Sequence, residues 1–346
     1  MNDSATKVNR NRQIYSEQNT NRIENHANGR PFPALVQRRQ RKTLPSGLCL
    51  QADIHSDVDI SETQVRSILT RTSGYLRTIS SHSLQPYRGC GLGKSLCGVG
   101  CYVQANPWIL NGRVWGEFVE ARLNAAASYA AGYEKEKRWA SRAGGTFGIF
   151  MSSSTEPFQP AERKYGVTKA VLAAMIEQPP DELIVQTHSH RVMDAIDLLT
   201  TLSERCKLRV HISIESDRET LPGLPPPASP VAKRMAAGAM LRERGLIAVA
   251  TVAPLLPIES PDVFFAALAR AFDAVVIDHF VGGDGSPEGQ RTGRTALPLA
   301  MARVDPASTS PAYRDAMVSI ARRHMAKVGV GIDGFAARYL PETTPE

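Results

Sequence analysis

Most of the chemistry this sequence offers lies in one stretch, YRGCGLGKSLCGVGCYVQ, from Tyr87 to Gln104. Two chemistries compete for it. Glycines running into Lys94 and Ser95 suggest a phosphate-binding loop, whereas Cys90, Cys97 and Cys101 suggest metal ligands. A phosphate loop needs GxxxxGK[ST], so that backbone N–H groups wrap a phosphate while the lysine reaches the outer phosphates. That spacing puts the first glycine at position 88, which is Arg88; Gly89 comes one residue too late. The phosphate reading fails on spacing.

The thiols fare better. The chain has five cysteines, and three of them fall in this stretch, with Cys49 and Cys206 isolated. A disulfide scaffold would be denser in cysteine and shorter. No apolar signal segment opens the sequence, and no run is long and apolar enough to span a membrane. The expectation is a soluble cytoplasmic protein, without a membrane partner, whose thiols are free for metal. Three clustered thiolates with no fourth nearby suit an iron–sulfur cluster with one iron open to another ligand. A structural zinc site would close with a fourth Cys or His. His82 is the only nearby candidate, well upstream of Cys90. The metal-free alternative is three thiols grouped in a buried loop, although buried structural cysteines are seldom set among so many glycines.

At 346 residues and 42% hydrophobic content, the chain can bury a large core as one domain or two. The net charge of +7 would suggest a nucleic-acid partner, but it is unevenly placed. Residues 1–45 hold Lys7, Arg10, Arg12, Arg22, Arg30, Arg38, Arg39, Arg41 and Lys42 against Asp3, Glu17 and Glu24, and so carry nearly all of the excess. This segment is too polar to bury a core and reads as a disordered basic arm. Its QRRQRK run, Gln37 to Lys42, is a candidate contact for nucleic acid or an acidic partner. The acids argue mildly against a transit peptide. Residues 46–80 read as an N-terminal extension, 81–340 as the folded domain and 341–346 as a tail.

Beyond residue 80, strand-like and helix-like stretches alternate. Strands are expected at Ser83–Gly89, Gly144–Ser154, Glu182–Ser189, Leu208–Ser216, Leu246–Pro257, Ala274–Gly283 and Val328–Phe335. Helices are expected at Gly116–Ala140, Gln159–Gln178, Arg191–Cys206, Ser229–Gly245, Ser260–Phe272 and Ser310–Ala326. Continuous apolar strands between helices mean a parallel sheet covered on both faces. The fold class is therefore α/β, a partial TIM-type (β/α) barrel of about six to seven parallel strands, with no dinucleotide fingerprint at its first turn. The polar residues collect after the strands: the cysteines, Ser152–Glu156, His188–His190, Glu215–Asp217, Asp278–His279 and Asp333. In a β/α barrel these ends share one mouth, where active sites sit.

A first strand, a three-cysteine loop and a following β/α series resemble the radical S-adenosylmethionine (SAM) superfamily. PYRGC…CGVGCYV, STEPFQPAERKY (Ser154–Tyr165), SIESDRE (Ser213–Glu219) and VIDHFVGGDGS (Val276–Ser286) resemble its spore photoproduct lyase-like branch over about residues 80–340. The resemblance implies a [4Fe–4S] cluster on Cys90, Cys97 and Cys101. It also implies reductive cleavage of SAM to a 5′-deoxyadenosyl radical that abstracts a substrate hydrogen. An electron donor such as flavodoxin or ferredoxin goes with that chemistry. Two features depart from the family. The spacing is C-x₆-C-x₃-C rather than CxxxCxxC; Gly91, Gly93, Gly98 and Gly100 are expected to make the loop flexible enough to gather the thiolates. The lyase's hydrogen-donor cysteine after the second strand is replaced by Ser152, Ser153, Ser154 and Thr155. A hydroxyl O–H is too strong a bond to take over from a thiol, so the substrate stays open.

By position, Ser213 and Glu215 are candidates for the ribose or methionine part of SAM. Ser154, Thr155 and Glu156 are candidates for its amino group or for the substrate. The plain alternative for each is a strand-end cap. Tyr102 either lines the adenine or packs. His188, His190 and His279 are acids, bases, substrate contacts or hydrogen-bonded structural residues, with Asp278-His279 the best placed. Gly282, Gly283 and Gly285 allow close backbone approach to a ligand or merely a tight turn. Trp108 and Trp115 shield the cluster or simply pack. An iron–sulfur redox or sensing protein without SAM chemistry is the competing functional reading. A nucleic-acid binder with a structural metal is a third.

Overall fold

The computed structural model describes residues 58–341, apart from Gly144, and the basic arm therefore lies outside the described residues. Eleven strands follow in order: β1 (Asp59–Thr63), β2 (Leu69–Arg71), β3 (His82–Leu84), β4 (Tyr87–Gly89), β5 (Phe118–Arg122), β6 (Gly148–Met151), β7 (Glu182–Thr187), β8 (Lys207–Ser213), β9 (Ile247–Val252), β10 (Ala274–Ile277) and β11 (Val328–Val330). The longer helices are α1 (Ala125–Arg142), α2 (Val167–Glu177), α3 (Ile196–Ser203), α4 (Val231–Glu243), α5 (Pro261–Ala271), α6 (Leu297–Val304) and α7 (Pro311–His324).

The main sheet has the order β11-β10-β9-β8-β7-β6-β3-β2. Every pairing from β3 to β11 is parallel, and only β2 runs antiparallel, against β3. Seven parallel strands with helical crossovers make the expected partial TIM-type barrel. The strand sequences dictate two apolar faces. In β9, Ala248, Ala250 and Val252 join the core under the helices, while Val249 points into the barrel. In β10, Val275 and Ile277 face the helices and Ala274 and Val276 face inward.

The sheet does not close on itself among the described strands, so its concave face needs a cover. Inward Phe150 and Ile184 pack with Ile79, with Tyr75 and Leu76 from the turn Gly74–Thr78, and with Ile332, Phe335 and Ala336 near the end of the chain. Two segments distant in sequence thus plug the barrel together.

A second sheet, β1-β5-β4, carries the cysteine loop. It accounts for the two largest departures from the sequence reading. The expected strand Ser83–Gly89 is split: Gln85-Pro86 ends β3, and β4 leaves for the small sheet. Proline lacks the N–H that would continue a ladder. The expected helix Gly116–Ala140 begins instead with β5, whose FVEAR alternation pairs with β1 and β4. Pairing on both sides outweighs the helical preference of the Ala-rich run that follows. The strands expected to reach Pro257, Gly283 and Phe335 stop at Val252, Ile277 and Val330, and their remaining residues form the mouth. Gly166, at φ 59°, breaks the expected helix Gln159–Gln178 in two.

Phe150 is 4% exposed and fills the barrel directly below the mouth. Phe150→Ala should cost about 3–5 kcal/mol, since a cavity remains where the ring was. Urea unfolding of the variant against the native chain measures it.

Candidate active site

The cysteine loop is held by backbone packing, not by looseness. A Cβ on Gly98 would lie 2.0 Å from the Gly93 carbonyl oxygen, and one on Gly93 would lie 2.5 Å from Gly116 Cα. The glycines are there because three backbone segments touch, which corrects the expectation of a flexible loop. Further bonds pin it. Gly91 N–H donates to Oε1 of the buried Gln159 at 2.8 Å, and Ser95 Oγ donates to the Leu92 carbonyl at 2.7 Å. Lys94 pairs with Glu117 at 3.3 Å and is not among the residues that line the cavity.

All three cysteines line one cavity of about 450 Å³ at the carboxyl ends of the strands. Burial pushes the Cys90 thiol well up, Cys97 to about 12 and Cys101 to about 11. Burial thus favours the neutral thiols, and a bound metal would draw off their protons. Among the described residues no three His, Cys, Asp or Glu side chains converge on a single metal ion. A four-iron cluster does not require that, because each cysteine binds a different iron. Three thiols that line one cavity without converging on a single point fit such a cluster better than zinc. His82 is not a missing ligand. It opens β3 at the opposite end of the barrel, fully buried, with its nitrogens on Ser81 and Glu136.

The residues after β6 face the cysteines. Ser154, Thr155 and Glu156 line the cavity, as do Tyr102 and Ser213. Thr155 Oγ1 donates to the Gly89 carbonyl at 2.6 Å, Ser154 N–H reaches Gln85 Oε1 at 3.3 Å, and the Tyr102 hydroxyl donates to the Ser153 carbonyl. Ser152 is buried at φ 69°, a region that non-glycine residues seldom enter, and its hydroxyl lacks a partner among the described residues.

Glu156 accepts from Thr187 Oγ1 at 2.5 Å, His188 N–H at 2.8 Å and Phe158 N–H at 3.0 Å. Burial nevertheless holds it above the usual carboxylate range. His188 stands between this group and Glu215, with Nδ1 3.9 Å from Glu156 Oε2 and Nε2 3.5 Å from Glu215 Oε1. Glu215 does not line the main cavity. It faces a recess of about 20 Å³ behind it, shared with Cys97, His188 and Arg234. Arg234, 2% exposed, donates to Glu215 Oε2 at 2.7 Å, to the Ser213 carbonyl and, through Nε, to the Ser229 carbonyl at 3.0 Å. Burial pushes Glu215 up, but Arg234 and then His188 outweigh it and hold the carboxyl below its ordinary range. Three successive strand ends are thus tied through Glu156, His188 and Glu215, with Arg234 behind.

The far wall holds Asp278, buried at the end of β10. Its Oδ1 accepts the His279 N–H at 2.9 Å and its Oδ2 lies 3.4 Å from the Tyr75 hydroxyl. Burial raises it to about 6, against the opposing pull of the His279 N–H, Arg314 and Tyr75. Both ring nitrogens of His279 are engaged: Nε2 donates to the Ser308 carbonyl and Nδ1 accepts from Val281 N–H. His190 is bonded to Ser229.

Sequence reasoning missed Tyr75, Gln159, Gln186 and Arg234. Gln186 had a signal, a lone amide in the apolar strand ELIVQT. Its Nε2 donates to Ser213 and Thr251, both at 3.0 Å, which leaves Oε1 unpartnered among the described residues. Arg234 had none, since a lone arginine on a helix reads as surface.

No family model matches this sequence, and no curated protein matches it. Solved structures do. A variant of spore photoproduct lyase with bound AdoMet and dinucleoside spore photoproduct superposes with a TM-score of 0.55 at 14% identity, covering 84% of this chain and 87% of that one. A second variant gives 0.54 at 15%, with the same coverage, and the lyase complexed with dinucleoside spore photoproduct gives 0.53 at 15%, covering 78% and 81%. The chain has a fold similar to that of spore photoproduct lyase. That is the barrel implied by the resemblance in the cysteine loop and strand-end motifs. The likeness to spore photoproduct lyase spans both sheets' worth of chain, not one motif.

Two outcomes test these placements. Asp278 has a folded pKa above its unfolded value of about 3.9, so its protonated form stabilises the fold and that stability is lost as pH rises from about 4 through about 6. Asp278→Asn should remove this fall, worth on the order of 2–3 kcal/mol, when unfolding free energy is measured from pH 4 to 7. Arg234→Met should strand the buried Glu215 and cost about 3–5 kcal/mol at neutral pH. Adding Glu215→Gln should recover part of the loss, as denaturant titration of both variants would reveal.

Proposed function

We propose that this chain is a radical SAM enzyme that holds a [4Fe–4S] cluster through Cys90, Cys97 and Cys101. The single observation that carries the reading is three thiols, and no fourth cysteine among the described residues, lining one cavity at the carboxyl ends of a partial β/α barrel. When bound, the cluster supplies the electron that cleaves SAM to a 5′-deoxyadenosyl radical. The protein's own work is to bind, orient and exclude water. Glu156 and Ser213, with Ser154 and Thr155, present hydrogen-bonding groups to SAM, and Tyr102 lies beside the last cysteine as a wall for its adenine. Glu215 acts from behind, fixed by Arg234 and linked to Glu156 through His188. The apolar wall of Leu92, Phe150, Phe280 and Phe335 keeps water from a reactive intermediate.

The substrate is proposed to be nucleic-acid related. The lyase structure of similar fold contains a dinucleoside, and the basic arm at 1–45 offers a contact for phosphates. A flavodoxin- or ferredoxin-type protein is the proposed electron source. The Ser152–Thr155 stretch lacks a thiol, so its hydroxyls do not return hydrogen to a substrate radical, and the reaction differs at that step from one that uses a cysteine there.

Anaerobic reconstitution with iron and sulfide, followed by dithionite and SAM, should release 5′-deoxyadenosine slowly without any substrate. Replacing Cys90, Cys97 or Cys101 with Ala should abolish stable iron binding, whereas Cys49→Ala and Cys206→Ala should leave iron content unchanged. A full cluster that neither binds nor cleaves SAM would favour the redox or sensing reading instead.

A further inference from the structure

One buried donor on the cysteine side of the cavity has nothing to donate to. Trp115 lines the cavity, and its pyrrole edge faces the cysteine loop: a Cβ built on Gly93 would lie 3.1 Å from Trp115 Cδ1, the ring atom bonded to Nε1. Nε1 is buried and has no hydrogen-bond partner among the described residues. An indole nitrogen donates and cannot accept. A buried donor without an acceptor is costly, and such groups in native proteins mark a missing water, ion or cofactor. Nearby loop carbonyls are engaged, Cys90 O by Gly93 N–H and Leu92 O by Ser95. The sulfurs of Cys90, Cys97 and Cys101 line the same cavity as the indole.

We propose that the Trp115 indole N–H donates a hydrogen bond to a sulfur of the iron–sulfur cluster bound by these cysteines and thereby raises its reduction potential. The inference rests on the cluster reading above. Reduction adds negative charge that spreads over the sulfurs, so a donor aimed at sulfur stabilises the reduced form more than the oxidised form. Ser95 Oγ lies 3.3 Å from Cys97 Sγ, but its one proton already serves the Leu92 carbonyl. Trp115 is held in place by Gly116, whose backbone packs on Gly93 and Lys94. The same close contact that shapes the cysteine loop therefore sets the indole against it.

The test is a redox titration of the reconstituted full chain followed by electron paramagnetic resonance. In Trp115→Phe, with iron content equal to that of the native chain, the reduced-to-oxidised ratio at a fixed potential should fall about tenfold, a shift of about 59 mV to more negative potential for one electron. Equal midpoints at equal iron content would overturn the proposal. Should the variant fail to hold its cluster, the unaltered protein decides. Grown with ¹⁵N-indole tryptophan and reduced, it should show a ¹⁵N coupling to the cluster that persists in Trp108→Phe. A reduced cluster without that coupling refutes the role of Trp115 while leaving the cluster reading intact. A native chain that assembles no cluster refutes both.

Discussion

Three stretches of backbone meet at a point where no side chain fits. Gly93 lies between the first and second cysteines, Gly98 between the second and third, and Gly116 just before β5. The contacts among them would put an added Cβ 2.0–2.9 Å from main-chain atoms. At that range backbone would have to move, and here it has nowhere to go. The contact fixes the turn from Cys90 to Cys101 against the small sheet, and the small sheet is fixed in turn by β5 pairing on both edges. A long cysteine spacing thereby reaches a defined geometry. Glycine is used for what it lacks in volume, and the entropy that the four glycines between Cys90 and Cys101 bring is suppressed by packing and by the bonds from Gln159 and Ser95.

Charge is the second constraint on the mouth. Two carboxylates, Glu156 and Glu215, are almost entirely buried within reach of one imidazole. Only Glu215 has a full cationic partner, and Arg234 reaches it from α4 through the interior. The two acids therefore diverge: Glu215 is pulled below its ordinary range and Glu156 is left above it. Environments that separate like groups in this way give them different work. Glu215 with Arg234 is a fixed element that sets where β8 ends. Glu156, facing the cavity, is the group whose charge a bound cation would settle. Asp278, raised on the opposite wall by burial, stands in the same condition with a phenol beside it.

How much of this was legible in the residues depends on whether the signal was local. The gathering of the cysteines on one wall was, because three thiols in one short loop are kept close by the chain itself. The barrel was, because apolar strands alternating with helices leave little choice of layer. The strand β5 was not: FVEAR opens an Ala-rich run, and only its two partners, one before the cysteine loop and one far upstream, make it a strand. The plug of the barrel was equally invisible, since Tyr75 and Phe335 look like ordinary aromatics until the fold brings their two segments to the same opening.

Arg234 shows why such residues escape a reading by pattern. Its helix, VAKRMAAGAMLRE, has a weak apolar face, and a charged side chain there belongs on the surface unless something inside requires it. What requires it is Glu215, whose own position at a strand end looks like a cap. Neither residue signals the other across the intervening proline-rich loop. Each would be unstable alone: a buried carboxylate without a cation, or a buried guanidinium without an acceptor, costs more than either hydrogen bond returns. The pair exists only because both are present, and what holds it is the interior of the fold. A site of this kind is written in the sequence as two unremarkable residues and becomes chemistry only when β8 and α4 pack together.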